Sequence, residues 1–407
     1  MSRNDIRKED LEPVVANRGP SFQTMDVADD DSLRAKYPEL IARGVYNQSI
    51  GRALSEHQVA LAITKMNDKN PRGMRWRKQT LPATELRSEV SSNTASSSNT
   101  TRADDTTLGP QSPSDDPFTA RMRRHQSWYR ANILRVPCGV GPKPTSTTHY
   151  GDMLTLGDGA AGRNFLTPEI ADVARARVAE GVGAVEPFRL FHNMLSSQPM
   201  CFNLFGPLVR DTALAGRLLP ALIPEPVAEV TRVVLEYGPE PAADYLGDRT
   251  AFDAFIEYRT PDRRLHALGI ETKLTESFSA KVYDREEYRR WMHVPNRPWL
   301  PDADARVEAV EHNQLWRDHL LAVAVRHRSG SPYTTSRLLV VHHPEDGRCV
   351  QVYAGYRALL CDGDNTLSII ALDQLVDAWS RVVEQPARTA WLESFRTRYL
   401  DLALSAG

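Results

Sequence analysis

Residues 250–273 read TAFDAFIEYRTPDRRLHALGIETK. Two apolar runs, Thr250–Tyr258 and Leu265–Lys273, have the length and residue types of strands, and Thr260-Pro-Asp-Arg-Arg264 separates them. Pro261 presets φ at the first central position of a turn, and the short Asp262 carboxylate can bond backbone two residues on, which is good hairpin chemistry. A turn centred on Asp262 makes Asp253 and Glu271 partners, within a residue or two of register. Directly opposed side chains have Cβ atoms about 4.5–5.5 Å apart. Glu271 and Lys273 share a strand face, whereas Thr272 points to the other. One face of the sheet is therefore expected to carry Asp253, Glu271 and Lys273 within reach of one another.

Two carboxylates at that distance repel, and they persist when a cation sits between them. Hard oxygen ligands suit Mg2+, which takes one or two carboxylates and completes its shell with water and substrate phosphate. Mn2+ is expected to substitute. Such an ion polarises a phosphoryl oxygen and lowers the pKa of bound water. A neighbouring lysine can orient or deprotonate that water, or stabilise the developing charge. A salt bridge on a surface hairpin would give the same spacing. The apolar character of both strands argues against it, because charged side chains are rarely buried without partners.

Outward from the hairpin, Thr231–Tyr237 is a third strand candidate. Thr167 followed by Pro168 reads as an N-cap with proline at the first helical position, opening a helix to about Ala179. A further helix is expected over Pro187–Leu195, while the apolar segment Met200–Leu208 is assigned to neither helix nor strand. Downstream, a long helix is expected over Ala305–Arg326, strands over Ser336–His342 and Cys349–Tyr356, and helices over Ser368–Glu384 and Arg388–Leu404. The central order of helix, three strands, helix and strand describes a mixed α/β domain over 118–407, with helices covering a sheet.

Before that domain the composition changes. Residues 82–117 contain SSNTASSSNTTRADDTTLGPQSPSDD and carry almost no large apolar side chains, so they are expected to form a disordered linker. Residues 25–81 read as a small helical module. Asp31 or Ser32 caps a first helix that Pro38 breaks, a second runs over Ser49–Met66, and a basic run, Arg72–Lys78, surrounds Trp76. Residues 1–24 are polar and expected to be disordered. The chain has 407 residues, 41% hydrophobic and 25% charged, with a net charge of −2. Any nucleic-acid contact must therefore come from local basic patches. Cys138, Cys201, Cys349 and Cys361 form no CxxC pair and no zinc spacing, so free thiols in a reducing compartment are expected. The start, MSRNDIRKEDLEP, lacks the apolar core of a signal peptide, and no stretch approaches the roughly 18 apolar residues of a membrane span. A cytoplasmic location is expected. No GxxxxGK[ST], GxGxxG or GxSxG motif occurs, which excludes the common nucleotide-binding loops and the serine-hydrolase elbow.

Asp253 with Glu271-Thr-Lys273 resembles the PD-(D/E)xK nuclease superfamily, whose restriction-endonuclease-like core runs α-β-β-β-α-β. A wider resemblance, to a poorly characterised bacterial family within it, is carried by Asn164-Phe-Leu-Thr167, Asn193-Met-Leu-Ser-Ser-Gln198, Phe202-Asn-Leu-Phe-Gly206, Gly269-Ile-Glu-Thr-Lys-Leu-Thr-Glu-Ser-Phe278 and Asn313-Gln-Leu-Trp-Arg-Asp-His-Leu-Leu321. It covers about residues 120–385, and Phe252-Asp253 stands where the motif has Pro-Asp. The resemblance implies a metal-dependent nuclease. A DNA endonuclease acting on double-stranded DNA in defence or restriction is the expectation built on it, with a homodimer for cutting two strands and the N-terminal module available to a partner; the alternatives are an exonuclease or RNA-cutting nuclease on the same site, or a catalytically silent nuclease-like protein used for DNA binding or assembly.

Secondary candidates surround this set. Gln314 and Arg317 share a face of the long helix, with Val310 and Leu321 extending it, and could bond the site carboxylates or a phosphate. Superfamily relatives often take a further metal ligand from a first-helix glutamate, which makes Glu186, ahead of Glu169, the expected third ligand; either could instead be a first-turn acid favoured by the helix dipole. Lys281, Arg123 and Arg124 are candidates for nucleic-acid contact, the arginines within a cluster that interleaves Arg121 and Arg130 with Trp128 and Tyr129. Ser196, Ser197 and Gln198 could contact phosphate or cap a helix end, and capping is the expected role.

Overall fold

The computed structural model describes residues 105–279 and 281–405 and, ahead of them, 6–16, 21–23, 27, 30–38, 41, 50, 53–54, 60–62 and 75–78. The chain divides into two compact units, Met1–Thr100 and Thr101–Gly407.

In the larger unit the core elements are helix α1 (Ser197–Arg210), strands β1 (Glu229–Tyr237), β2 (Phe252–Arg259) and β3 (Leu265–Lys273), helix α2 (Asn313–His327), and strands β4 (Tyr333–His342) and β5 (Leu367–Ala371). The sheet order is β5-β4-β3-β2-β1. β1, β2 and β3 are antiparallel neighbours, whereas β4 lies parallel to both β3 and β5. A tight turn suffices for the antiparallel pair β2–β3, while the parallel step from β3 to β4 needs a crossover, which α2 supplies. Each face of the sheet has its own core. Leu268 and Ile270 pack with Phe202 and Phe205 of α1, and Ala267 and Val340 pack with Trp316 and Leu320 of α2.

Several expectations are corrected here. Met200–Leu208 lies inside α1, where every residue from Gln198 to Leu208 is buried. A short continuous apolar run suits a buried helix or a buried strand until its neighbours decide. Cys349–Tyr356 is helical, within Gly347–Arg357, because the Asp346 carboxylate accepts from Cys349 N at 3.2 Å and caps the first turn. The start of the helix expected over Ser368–Glu384 is strand β5, and the helix itself covers Leu372–Ser380. The long helix expected from Ala305 is a short turn of helix, Asp304–Val307, followed by α2. Asn313 interrupts it by donating its side-chain amide to Glu308 O at 3.2 Å, a local bond that competes with helix backbone pairing.

Residues 105–117, expected in the linker, belong to the larger unit. Leu108 is buried, Gly151 N donates to Pro110 O at 2.7 Å, and Asp116 caps the helix Pro117–Trp128. Residues 82–104 lie outside the described residues.

The smaller unit is not purely helical. Helices Lys8–Ala16 and Asp31–Arg34, the latter capped by Asp30, accompany a three-stranded antiparallel sheet of Ser21–Gln23, Arg75–Lys78 and Ala60–Ala62, with Arg75–Lys78 in the middle. Leu11, Val14, Leu33, Ile50 and Leu54 form its core. Part of the basic run is thus a central strand, and the helix Lys8–Ala16 lies within the region 1–24 expected to be disordered. Residues 55–59 and 63–74 lie outside the described residues.

Candidate functional site

The β2–β3 hairpin has the expected register. Its ladder runs from Arg259↔Leu265 to Ala254↔Ile270, so Asp253 and Glu271 stand level, one step beyond the last pair. The Asp253 carboxylate does not simply face Glu271, however. Its Oδ2 accepts from Thr272 N at 2.8 Å and Thr272 Oγ1 at 2.6 Å. Thr272, expected on the other face of the strand, is thereby tied to Asp253: a buried donor past the end of the ladder must find a partner. Burial first, and then repulsion from Glu271 and Glu236, push the Asp253 carboxyl well above the usual range, against the two Thr272 bonds.

Glu271, Lys273 and Gln314 form a closed network. Lys273 Nζ lies 2.9 Å from Glu271 Oε1, and Gln314 Nε2 donates to the same oxygen at 2.9 Å. Strand parity puts the first two on the α2 face, and the start of α2 brings in the third. Lys273 is buried, with its ammonium 4.5 Å from the centre of the Phe278 ring. Burial alone would lower its pKa; the Glu271 carboxylate outweighs burial and holds the amine well above its ordinary value, so it stays charged. Asp318, one turn along α2 from Gln314, is buried with Oδ2 unbonded, and burial together with Glu271 raises its carboxyl well above the usual range.

Sequence reasoning missed Glu236. On β1, Leu235 pairs with Ala254 and Tyr237 with Phe252, which places Glu236 level with Asp253. Three neighbouring strands therefore carry Glu236, Asp253 and Glu271 in a row. Glu236 has φ 53°, the left-handed conformation that costs a non-glycine residue roughly 1–2 kcal/mol. Its Oε1 accepts from Gln198 Nε2 at 2.6 Å. Burial, with repulsion from Glu271, raises its pKa to about 7 despite that bond. No tight turn fixes the β1–β2 register, so the sequence carries no local signal for it.

Glutamines thus reach the row from both faces of the sheet: Gln198 from the first turn of α1 to Glu236, and Gln314 from the first turn of α2 to Glu271. Helix N-termini carry partial positive charge, so both helix starts favour an anion beside the carboxylates.

The donor set fits a hard divalent ion. Asp253 Oδ1, Glu271 Oε2 and Glu236 Oε2 take no hydrogen bond from any described residue. Among the described residues no three His, Cys, Asp or Glu side chains converge as a ready-made cage. Mg2+ does not require one, since it commonly keeps several waters and binds one or two carboxylates plus phosphate.

The other candidates are placed differently. Glu186 caps its own helix, accepting from Arg189 N at 2.6 Å and Phe188 N at 3.4 Å, so its carboxylate is engaged in capping. Glu169 pairs with Arg388 at 2.8 Å. Arg317 is locked by Asp248 at 3.2 Å, with further bonds to Thr250 and Tyr288, and Val310 is exposed rather than core-facing. Arg123 bridges Asp115 and Asp152 at 2.5 and 2.6 Å, Arg124 donates to Ser405 O at 3.1 Å, and Arg121 pairs with Glu345. Arg130 is buried against the carbonyls of Gly151, Val136, Thr107 and Leu108. These arginines of the candidate cluster are each paired within the larger unit. Lys281 is exposed. Ser196 caps α1 as expected, and Ser197 N donates to Glu276 Oε1 at 2.8 Å.

A mixed sheet flanked by helices, with two acids and a lysine at the end of its central hairpin, is the architecture of a metal-using nuclease domain. The chain belongs to the PD-(D/E)XK nuclease superfamily, whose model matches residues 113–401. No curated protein and no solved structure matches the chain. Membership implies a nucleic-acid substrate, and nucleases of this superfamily generally use divalent metals. No helix among the described residues is long and apolar enough to cross a membrane.

Proposed function

We propose that the chain is a Mg2+-dependent DNA endonuclease, with defence or restriction as its setting by analogy with its superfamily. The observation that carries the reading is the Glu271–Lys273–Gln314 network with Asp253 level across the strand pair. Asp253 and Glu271 would hold the ion, which supplies neutralisation of phosphoryl charge and a more acidic bound water. Glu236, level with Asp253, takes the place first expected of Glu186.

Lys273 then acts as a charged donor. An amine held above its ordinary pKa by Glu271 does not remove a proton from water near neutral pH; it stabilises negative charge as that charge grows on the phosphoryl oxygens. Gln314 fixes which Glu271 oxygen faces Lys273, leaving Oε2 for the ion. Phe278 covers the ammonium and keeps water from weakening its field.

The test is cleavage of circular plasmid, linear DNA and RNA in Mn2+, with Lys273→Ala alongside. Nicking or linearisation of plasmid by the wild type, lost in the variant, is expected. RNA cleavage without plasmid cleavage would reject the DNA assignment. Plasmid nicking that survives Lys273→Ala would remove the lysine from the chemistry.

A further inference from the structure

The segment that leaves β3 presents exposed apolar side chains beside the site. Val282 and Tyr283 are exposed, as is Val310 on the turn before α2. One buried side chain joins the two segments. Asn313 Oδ1 accepts from Tyr283 N at 3.0 Å, and its Nδ2 donates to the carbonyls of Tyr283 and Glu308, each at 3.2 Å. The next residue, Gln314, accepts from Ser279 N at 2.7 Å while donating to Glu271. One turn further along α2, the Arg317 guanidinium lies 4.2 Å from the centre of the Tyr283 ring. Arg317 is itself held by Asp248, Thr250 and Tyr288. Three residues of α2 therefore hold Ser279, the Tyr283 backbone and the Tyr283 ring, and one of the three is bonded to the site glutamate.

Single exposed apolar residues are common and need no explanation. Tyr283 differs because its position is fixed three ways while 39% of the residue remains open to solvent. Fixing a side chain costs rotamer entropy, and here that cost pre-organises an aromatic ring, one face against Arg317, on the segment that Asn313 and Gln314 tie to the site glutamate. Exposed Lys281, two residues earlier, adds a positive charge at the same rim. The substrate is a nucleic acid, and its chemistry matches this surface: a base stacks on the ring and a phosphate meets the ammonium. A base within a duplex is already stacked on both faces, so only an unpaired or displaced base can use the ring.

We infer that Tyr283 stacks on an unpaired nucleobase beside the phosphate to be cut, with Lys281 on a neighbouring phosphate. The substrate class is then a strand with at least one unstacked nucleotide at the cleavage position, such as a single-stranded stretch, flap, junction or the locally opened duplex of a negatively supercoiled plasmid. The inference rests on the nuclease reading.

The experiment uses the full chain with Ca2+ in place of Mg2+, a single-stranded DNA oligonucleotide containing 2-aminopurine, and a blunt duplex of the same sequence. Stacking quenches 2-aminopurine fluorescence. Wild type and Tyr283→Phe should quench the single strand. Tyr283→Ala should lose the quenching and bind that strand about 10-fold more weakly, while its duplex affinity and thermal midpoint stay unchanged. Quenching and affinity unaffected by Tyr283→Ala would overturn the platform, and so would an equal loss on duplex and single strand. Wild-type protein that cleaves in Mn2+ while Tyr283 proves indifferent rejects the platform alone; wild-type protein that neither binds nor cleaves any nucleic acid rejects the nuclease reading and the platform with it.

Discussion

Two acid–base pairs sit on the β2–β3 hairpin. At the turn, Asp262 and Arg264 approach to 2.6 Å with side chains 51% and 59% exposed; at the opposite end, Glu271 and Lys273 approach to 2.9 Å with side chains 8% and 6% exposed. Both pairs are two residues apart on one chain, and their separations are similar. What differs is the medium. Water and salt screen the pair at the turn, which helps only to shape Thr260–Arg264. At the site, the same pairing fixes the charge of a lysine, leaves one carboxylate oxygen uncommitted, and draws in Gln314. Burial turns an ordinary ion pair into a pre-organised field, beside two further carboxyls whose negative form burial and mutual repulsion disfavour.

Lys273→Met should break this contrast most visibly. Cleavage should fall at least about 100-fold, and chemical denaturation should show a loss of about 3 kcal/mol, because Glu271 is left buried without its cation. A variant with wild-type turnover would put the buried pair on the same footing as the exposed one. Gln314→Leu should follow, lowering kcat about 10-fold, as expected for removing a hydrogen bond to a charged group, with far less effect on KM. An equal rise in KM without loss of kcat would make Gln314 a substrate contact instead of a positioning residue.

A smaller effect concerns Glu236, whose folded pKa of about 7 lies above the ordinary glutamate value of 4.5. A carboxyl raised in this way favours the folded state while protonated. In chelator, stability should therefore be greatest below about pH 4.5 as far as this group is concerned and should decline as pH rises toward 7. Urea midpoints across that window should lose part of their slope in Glu236→Gln; an unchanged slope would show that Glu236 titrates normally. The smallest effect belongs to the turn. Asp262→Ala should leave both kcat and the denaturation midpoint where they are, and a measurable drop in activity would mean that the two ends of the hairpin are coupled.

The parts of the site legible in sequence are those fixed by short-range rules. Pro261-Asp262 sets the hairpin register locally, so Asp253 and Glu271 were found opposite each other, and strand parity added Lys273. Gln314 was legible because helical spacing aims it at the sheet. Glu236 was not, because β1 and β2 are joined by residues 238–251 and no tight turn fixes their register. The arginines misled because their partners are remote in sequence: Asp152 lies 29 residues from Arg123, and Asp248 lies 69 from Arg317. Composition shows a basic cluster; only the fold shows that its charges are engaged. Among the elements, the short apolar runs at Met200, Cys349 and Ser368 suit helix or strand equally until a cap or a neighbouring strand decides.

The central claim is that Asp253 and Glu271 hold a divalent ion while Lys273 acts beside it without being a ligand. Calorimetric titration of Mn2+ into wild type, Asp253→Asn and Lys273→Met tests this most directly. Wild type and Lys273→Met should bind, the latter at least as tightly because Glu271 is released from its lysine, and Asp253→Asn should show little or no binding heat. Binding of Mn2+ by Asp253→Asn with wild-type affinity would contradict the account.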